Sequence, residues 1–174
     1  MTDNVTPRQP EYVGFWKRLL AFFIDSLILL VIIGLILFAI FGRNYMELST
    51  QGKTLWADIL FQVVLPALAA ILFWRFRGAT PGKMLISARI VDAQTYGPPS
   101  TGKLIGRYFA YIVSMFPGIA VPVVIALTRP DLQMWILVTP LLMWGFLWIA
   151  FDKRKQGWHD KLAGTVVIHD EDDD

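Results

Sequence analysis

Four apolar runs, at about 19–41, 57–74, 104–128 and 132–151, take up most of a chain of 174 residues. Each is about 18 residues or longer, enough for a helix rising ~1.5 Å per residue to cross a hydrocarbon core ~30 Å thick. A buried helix of a water-soluble protein can show such a run over ~10–14 residues, but four of them here leave too little polar chain to cover them. Only 17% of the residues are charged and 55% are hydrophobic, whereas a solvated domain keeps about a quarter charged. The pattern predicts an all-α fold, a polytopic membrane bundle of about four transmembrane helices. The first run is too long for a signal-peptide core and ends without a small-x-small cleavage site, so it reads as a retained anchor.

Lysine and arginine placement orients the bundle. Thirteen of the 16 lie in the segment 1–18, in the loop 75–103 with Arg107 just beyond it, or in the segment 152–174. The other three are Arg43, Lys53 and Arg129. The positive-inside bias therefore predicts cytoplasmic termini and a cytoplasmic second loop, in the cell (inner) membrane. Trp16, Trp74 and Trp148 fall near the predicted inner boundary and Trp56 and Trp135 near the outer one, where an amphipathic ring is favoured. Arg129-Pro130-Asp131 makes a short turn between the last two runs, and Pro66, Pro117 and Pro122 each remove a backbone donor inside a span. Within the second loop, 84–92 alternates like a strand between the turns 78–83 and 96–100, which predicts a short cytoplasmic hairpin between the second and third spans. The acidic run 170–174 reads as a solvated tail.

Several function classes drop out. Without cysteine there is no disulfide, thiolate metal site or cysteine nucleophile. His159 and His169 are too few for a multi-histidine metal site, and a net charge of +2 does not suit a nucleic-acid partner. Pro81-Gly82-Lys83 is not a phosphate loop, because Met84 stands where a magnesium-binding hydroxyl belongs. Trp158-His159-Asp160 lacks a nucleophile motif. No enzyme activity, cofactor or metal is expected. Lys83, Arg89, Lys153, Arg154 and Lys155 read as basic residues facing anionic lipid headgroups.

Three separated motifs resemble the RDD family of small integral membrane proteins, named for one arginine and two aspartates. "FWKRLLAFFIDSLIL" supplies Arg18 and Asp25, "KRKQGWHDKLAGTVVI" supplies Asp160, and "RGATPGKMLISARIVD" is similar to the family's central motif. The resemblance covers most of residues 12–168. It implies an integral membrane protein and carries an expectation of ligand transport, sodium-for-proton exchange included.

Charge inside a span costs roughly 2.5–3.5 kcal/mol on insertion scales, so the charged residues are the candidate site. Asp25 lies roughly 10 Å into the first run and leans back toward Arg18, with Arg107 as an alternative or additional partner. Arg18, Asp25, Arg107 and Asp160 then form either a structural polar knot or the binding site of a sodium ion or proton. Burial would raise the carboxyl pKa and a nearby arginine would lower it, and the sequence leaves that balance open. Asp58 and Gln62 are secondary candidates at the outer end of the second run. Two functions follow: a cation or proton transporter, working as an oligomer because one bundle is narrow, or an accessory protein binding lipid or another membrane protein.

Overall fold

The computed structural model describes residues 10–128 and 144–170. Arg8, the Arg129-Pro130-Asp131 turn, Trp135, most of the fourth run and the tail 171–174 lie outside the described residues. Helix α1 (Phe15–Phe41) is followed by a tight turn at Gly42–Asn44 and short helices α2 (Tyr45–Thr50) and α3 (Leu55–Asp58). A π-helical turn at Ile59–Val64 leads into α4 (Leu65–Arg77), and then come α5 (Pro81–Met84) and β1 (Ala88–Asp92). Helix α6 (Thr101–Thr128), α7 (Trp144–Phe151), α8 (Trp158–Ala163) and β2 (Thr165–His169) complete the order. The protein is thus mostly helical, with one small sheet.

Two helical stretches, Phe15–Thr50 and Leu55–Met84, the second broken at 78–80, are long and apolar enough to cross a membrane, and only 6% of the most apolar part of each is buried. Leu27, Leu30 and Phe38 on α1 and Leu68 and Leu72 on α4 are exposed. A helix apolar on all sides and left bare needs lipid as its solvent. The π turn has a local cause. Pro66 has no N–H and its ring crowds the carbonyl four residues back, so the helix widens just before it instead of breaking.

At the polar end the chain closes into a packed module. Helix α4 stops at Gly78, whose left-handed φ of 70° lets its N–H reach the Trp74 carbonyl at 3.1 Å. The loop that was expected to fold on itself as a hairpin instead supplies one strand. That strand, β1, pairs antiparallel with β2 from the far end of the chain, Ile90 facing Val167 and Asp92 facing Thr165. The N-terminal segment joins the other edge, through Val13 N–H to the Val167 carbonyl and His169 N–H to the Glu11 carbonyl. Two features work against a local hairpin. Pro98 and Pro99 cannot donate to a ladder, and the Asp92 carboxylate turns the chain by accepting the Gln94 and Thr95 N–H groups. The pairing chosen buries Ile90 and Val167 with Val13, Trp74, Ala88 and Leu104.

Candidate functional site

Asp160 is a fully buried polar group of the module. It lies in the first turn of α8, where its Oδ2 accepts the Gly157 N–H at 2.9 Å and so caps that helix. The same oxygen accepts Arg18 Nη1 from α1 at 2.6 Å, while Oδ1 is paired with Arg107 Nη1 from α6. Arg18 also donates through Nε to the Val13 carbonyl, and Arg107 to the Thr165 hydroxyl. Gln156 Nε2 holds the Thr165 carbonyl at 2.7 Å. One carboxylate therefore ties α1, α6 and α8 together, Arg107 and Gln156 add β2 through Thr165, and Arg107 and Asp160 are both 0% exposed and Arg18 3%.

Aromatic rings wrap this latch. The Arg107 guanidinium lies 5.6 Å from the Trp74 ring centre and 5.7 Å from that of Tyr111. Its Nε and Nη2 have no hydrogen-bond partner among the described residues, and the two ring faces add cation–π attraction to the Asp160 ion pair. His159 stacks on Tyr111 with ring centres 3.8 Å apart. Burial drives its pKa down to about 3, against the pull of Asp160, and Arg107, Arg18 and Lys83 push the same way as burial. For Asp160 burial disfavours the charge, but Arg107 and Arg18 outweigh it and hold the carboxyl far below the usual range.

Asp25 stands apart from the latch. Two helical turns separate it from Arg18, too far for a direct bond, and Arg18 finds better acceptors in Asp160 and Val13. The structure thus divides the expected four-residue cluster. Asp25 Oδ2 accepts the Thr80 hydroxyl at 2.6 Å and Oδ1 the Gly82 N–H at 2.7 Å. Lys83 Nζ reaches the same Thr80 hydroxyl at 3.3 Å. Contact this close requires glycine at 82, where a Cβ would stand 2.2 Å from the Ala21 carbonyl oxygen. Asp25 and Thr80 close one end of a groove of about 290 Å³ between α1 and α4. Ile28, Ile32, Ile36, Phe61, Leu65 and Ala69 are among its walls, and Ile32 and Leu65 keep 50% and 41% of their surface exposed, so the groove opens sideways.

The RDD family model matches residues 12–164. The chain belongs to the RDD family. It is 31% identical over 128 residues to an uncharacterized protein of Rickettsia prowazekii, covering 72% of this chain and 58% of that one. It is 30% identical over 171 residues to the uncharacterized protein YxaI of Bacillus subtilis, covering 90% and 96% of the two chains. The uncharacterized membrane protein YteJ of the same organism is 26% identical over 165 residues, covering 91% and 82%. The chain thus spans little more than half of the Rickettsia protein and nearly all of YxaI. No solved structure matches it.

In this RDD chain the secondary candidates form a separate knot. Asp58 accepts Tyr45 Oη at 2.5 Å, Gln62 Nε2 at 2.9 Å and Thr54 Oγ1 at 2.8 Å, pinning α2 to the start of the second helical stretch. Among the basic residues, Arg154 turns onto the protein. It donates to the Ala93 carbonyl at 2.6 Å and lies over the rings of Tyr12 and Tyr96. Arg89 is half-exposed and 3.5 Å from Asp170, and Lys155 reaches the Ala150 carbonyl. Lys153 is exposed. Trp74, expected at the membrane boundary, is only 4% exposed because the sheet and Tyr111 cover it. Sequence reasoning also missed Thr165 and Gln156 as latch members. The β-branched run Thr165–Ile168 was the available signal, since it marks the strand that carries Thr165 into place.

Proposed function

We propose that this RDD protein is a four-span protein of the cell membrane, with both termini and the 75–103 loop in the cytoplasm, that binds a membrane lipid in the α1–α4 groove. The role is that of a non-catalytic accessory protein. The carrying observation is the groove itself: apolar walls along its length and a single carboxylate at one end. Among the described lining residues no polar side chain leads from Asp25 toward the Asp58 knot. Such a wall stabilises an acyl chain and gives a migrating ion nothing to hold. The topology is supported by the charge bias and by the module. The segment at Glu11–Val13, strand β1 and strand β2 are hydrogen-bonded together, which requires all three on one face of the membrane.

The test is native mass spectrometry of the full chain released from mild detergent. Retained phospholipid in wild type, lost when Ile32→Trp fills the groove, is the expected result. A wild-type protein that carries no lipid sinks the reading.

One observation favours a second reading, cation or proton transport of the sodium/proton-exchange kind. Asp25 has no cationic partner within salt-bridge distance among the described residues, because Arg18 is engaged elsewhere. Sodium-driven proton flux in proteoliposomes, present in wild type and absent in Asp25→Asn, would establish it. Absence of flux in both leaves the lipid reading alone.

A further inference from the structure

The mouth of the groove carries more chemistry than an acyl chain needs. Asp25 and Lys83 sit on either side of one hydroxyl, Thr80 Oγ1, which donates to the carboxylate at 2.6 Å and lies 3.3 Å from the ammonium. An ionised carboxylate offers about four acceptor positions, and the described donors, Thr80 and Gly82 N–H, use one on each oxygen. Lys83 has three donors and is only partly buried. A negative and a positive group thus share one hydroxyl, each with unused hydrogen-bonding capacity: Asp25 and Thr80 line the end of the apolar trough, and Lys83 is bonded to Thr80 from outside that lining. Gly82, seated against the Ala21 carbonyl, fixes the turn that carries Thr80 and Lys83 at the level of Asp25.

The trough has the length of one leaflet. From Asp25 to Ile36 along α1 is roughly 16 Å at the helical rise, about half of a ~30 Å hydrocarbon core. The turn that carries Thr80 and Lys83 meets α1 at Asp25 and not at the start of the apolar run, so the polar boundary reaches Asp25, and an occupant has its headgroup there and an acyl chain beside Ile28 to Ile36. A bare metal cation gains nothing from the walls and is repelled by Lys83. An anionic headgroup meets the Asp25 carboxylate. A headgroup carrying both charges, with N–H donors on the cationic part, satisfies both sides.

We propose that the α1–α4 groove is a site for a zwitterionic phospholipid with a primary-ammonium headgroup, phosphatidylethanolamine in chemical class. The ammonium donates to Asp25, the phosphate accepts from Lys83, and one acyl chain runs along Ile28, Ile32 and Ile36. This assignment rests on the lipid-binding reading and adds the headgroup to it.

The experiment offers the full-length chain an equimolar mixture of phosphatidylethanolamine, phosphatidylcholine and phosphatidylglycerol with identical acyl chains, and counts bound lipids by native mass spectrometry. Wild type should retain phosphatidylethanolamine over each of the others by about tenfold, the scale of one charge-assisted hydrogen bond. Asp25→Asn should erase the preference over phosphatidylcholine, and Lys83→Gln should weaken phospholipid retention. Equal retention of all three lipids, or a preference for phosphatidylglycerol, overturns the headgroup assignment and leaves lipid binding standing. No retained lipid overturns both. The wild-type competition decides the matter even where a variant fails to fold.

Discussion

Asp25 and Asp160 are both carboxylates set in apolar surroundings, and both belong to motifs that carry the family resemblance, yet their environments are opposite. Asp160 is fully buried and faces two guanidiniums, a helix-capping N–H and a histidine ring. Asp25 is partly exposed, receives a hydroxyl and one backbone N–H, and borders an open groove. A buried charge with dedicated counter-charges on several elements fixes how those elements meet. A charge with neutral donors and open acceptor positions retains capacity for a ligand. Asp160 is a fastening and Asp25 borders a candidate site, where the sequence showed two arginines and two aspartates as one cluster.

The largest effect should come from undoing the fastening. Asp160→Ala leaves Arg18 and Arg107 buried without their counter-charge, a loss of about 3–5 kcal/mol. It reads out as a drop in thermal midpoint in detergent and early proteolysis of the 152–170 segment. A loss under about 1 kcal/mol would remove the distinction between the two carboxylates. Next is Gly82→Ala, whose methyl must push against the Ala21 carbonyl; overpacking of this kind costs about 1–3 kcal/mol. It should also lift Thr80 and Lys83 from the groove mouth, so lipid retention falls with stability. Normal retention in that variant would detach the turn from the site.

Acid should loosen the latch through His159. Its folded pKa, about 3, lies below the ordinary 6.5, so its contribution is complete above about 6.5 and is lost progressively as pH falls toward 3. The slope is at most about 1.4 kcal/mol per pH unit. Thermal midpoints between pH 7 and pH 4 should decline, and His159→Phe, which keeps a ring on Tyr111, should flatten that part of the profile. An unchanged slope would mean that His159 is not what the acid acts on. The smallest effect on stability belongs to Asp25→Asn, about 1 kcal/mol or less, because it weakens hydrogen bonds to neutral donors only. Its expected consequence is a loss of the proposed lipid selectivity. A loss as large as that of Asp160→Ala would make Asp25 a second fastening.

Much of this was legible in the chain. Apolar length alone marked α1 and the stretch containing α4, and the resemblance brought Arg18 and Asp160 forward before any contact was known. Arg107 was readable because a charge near the start of an apolar helix needs a partner. What misled was proximity in sequence. Asp25 and Arg18 share a helix and were read as partners, and 84–92 alternates beside turn residues and was read as half of a local hairpin. Arg154, in a basic cluster, was read as facing lipid, whereas Tyr12 and Tyr96 offered it a better surface.

The sequence by itself determined that apolar helices of membrane length form here, because hydropathy and backbone hydrogen bonding act along the chain and need no distant partner. Which charge meets which was decided only by the tertiary structure. Partnership depends on distance and burial, and residues far apart in the chain, Arg18 with Asp160 and Ile90 with Val167, come within bonding reach only when the module closes. That closure gave Asp160 its counter-charges and left Asp25 facing the groove.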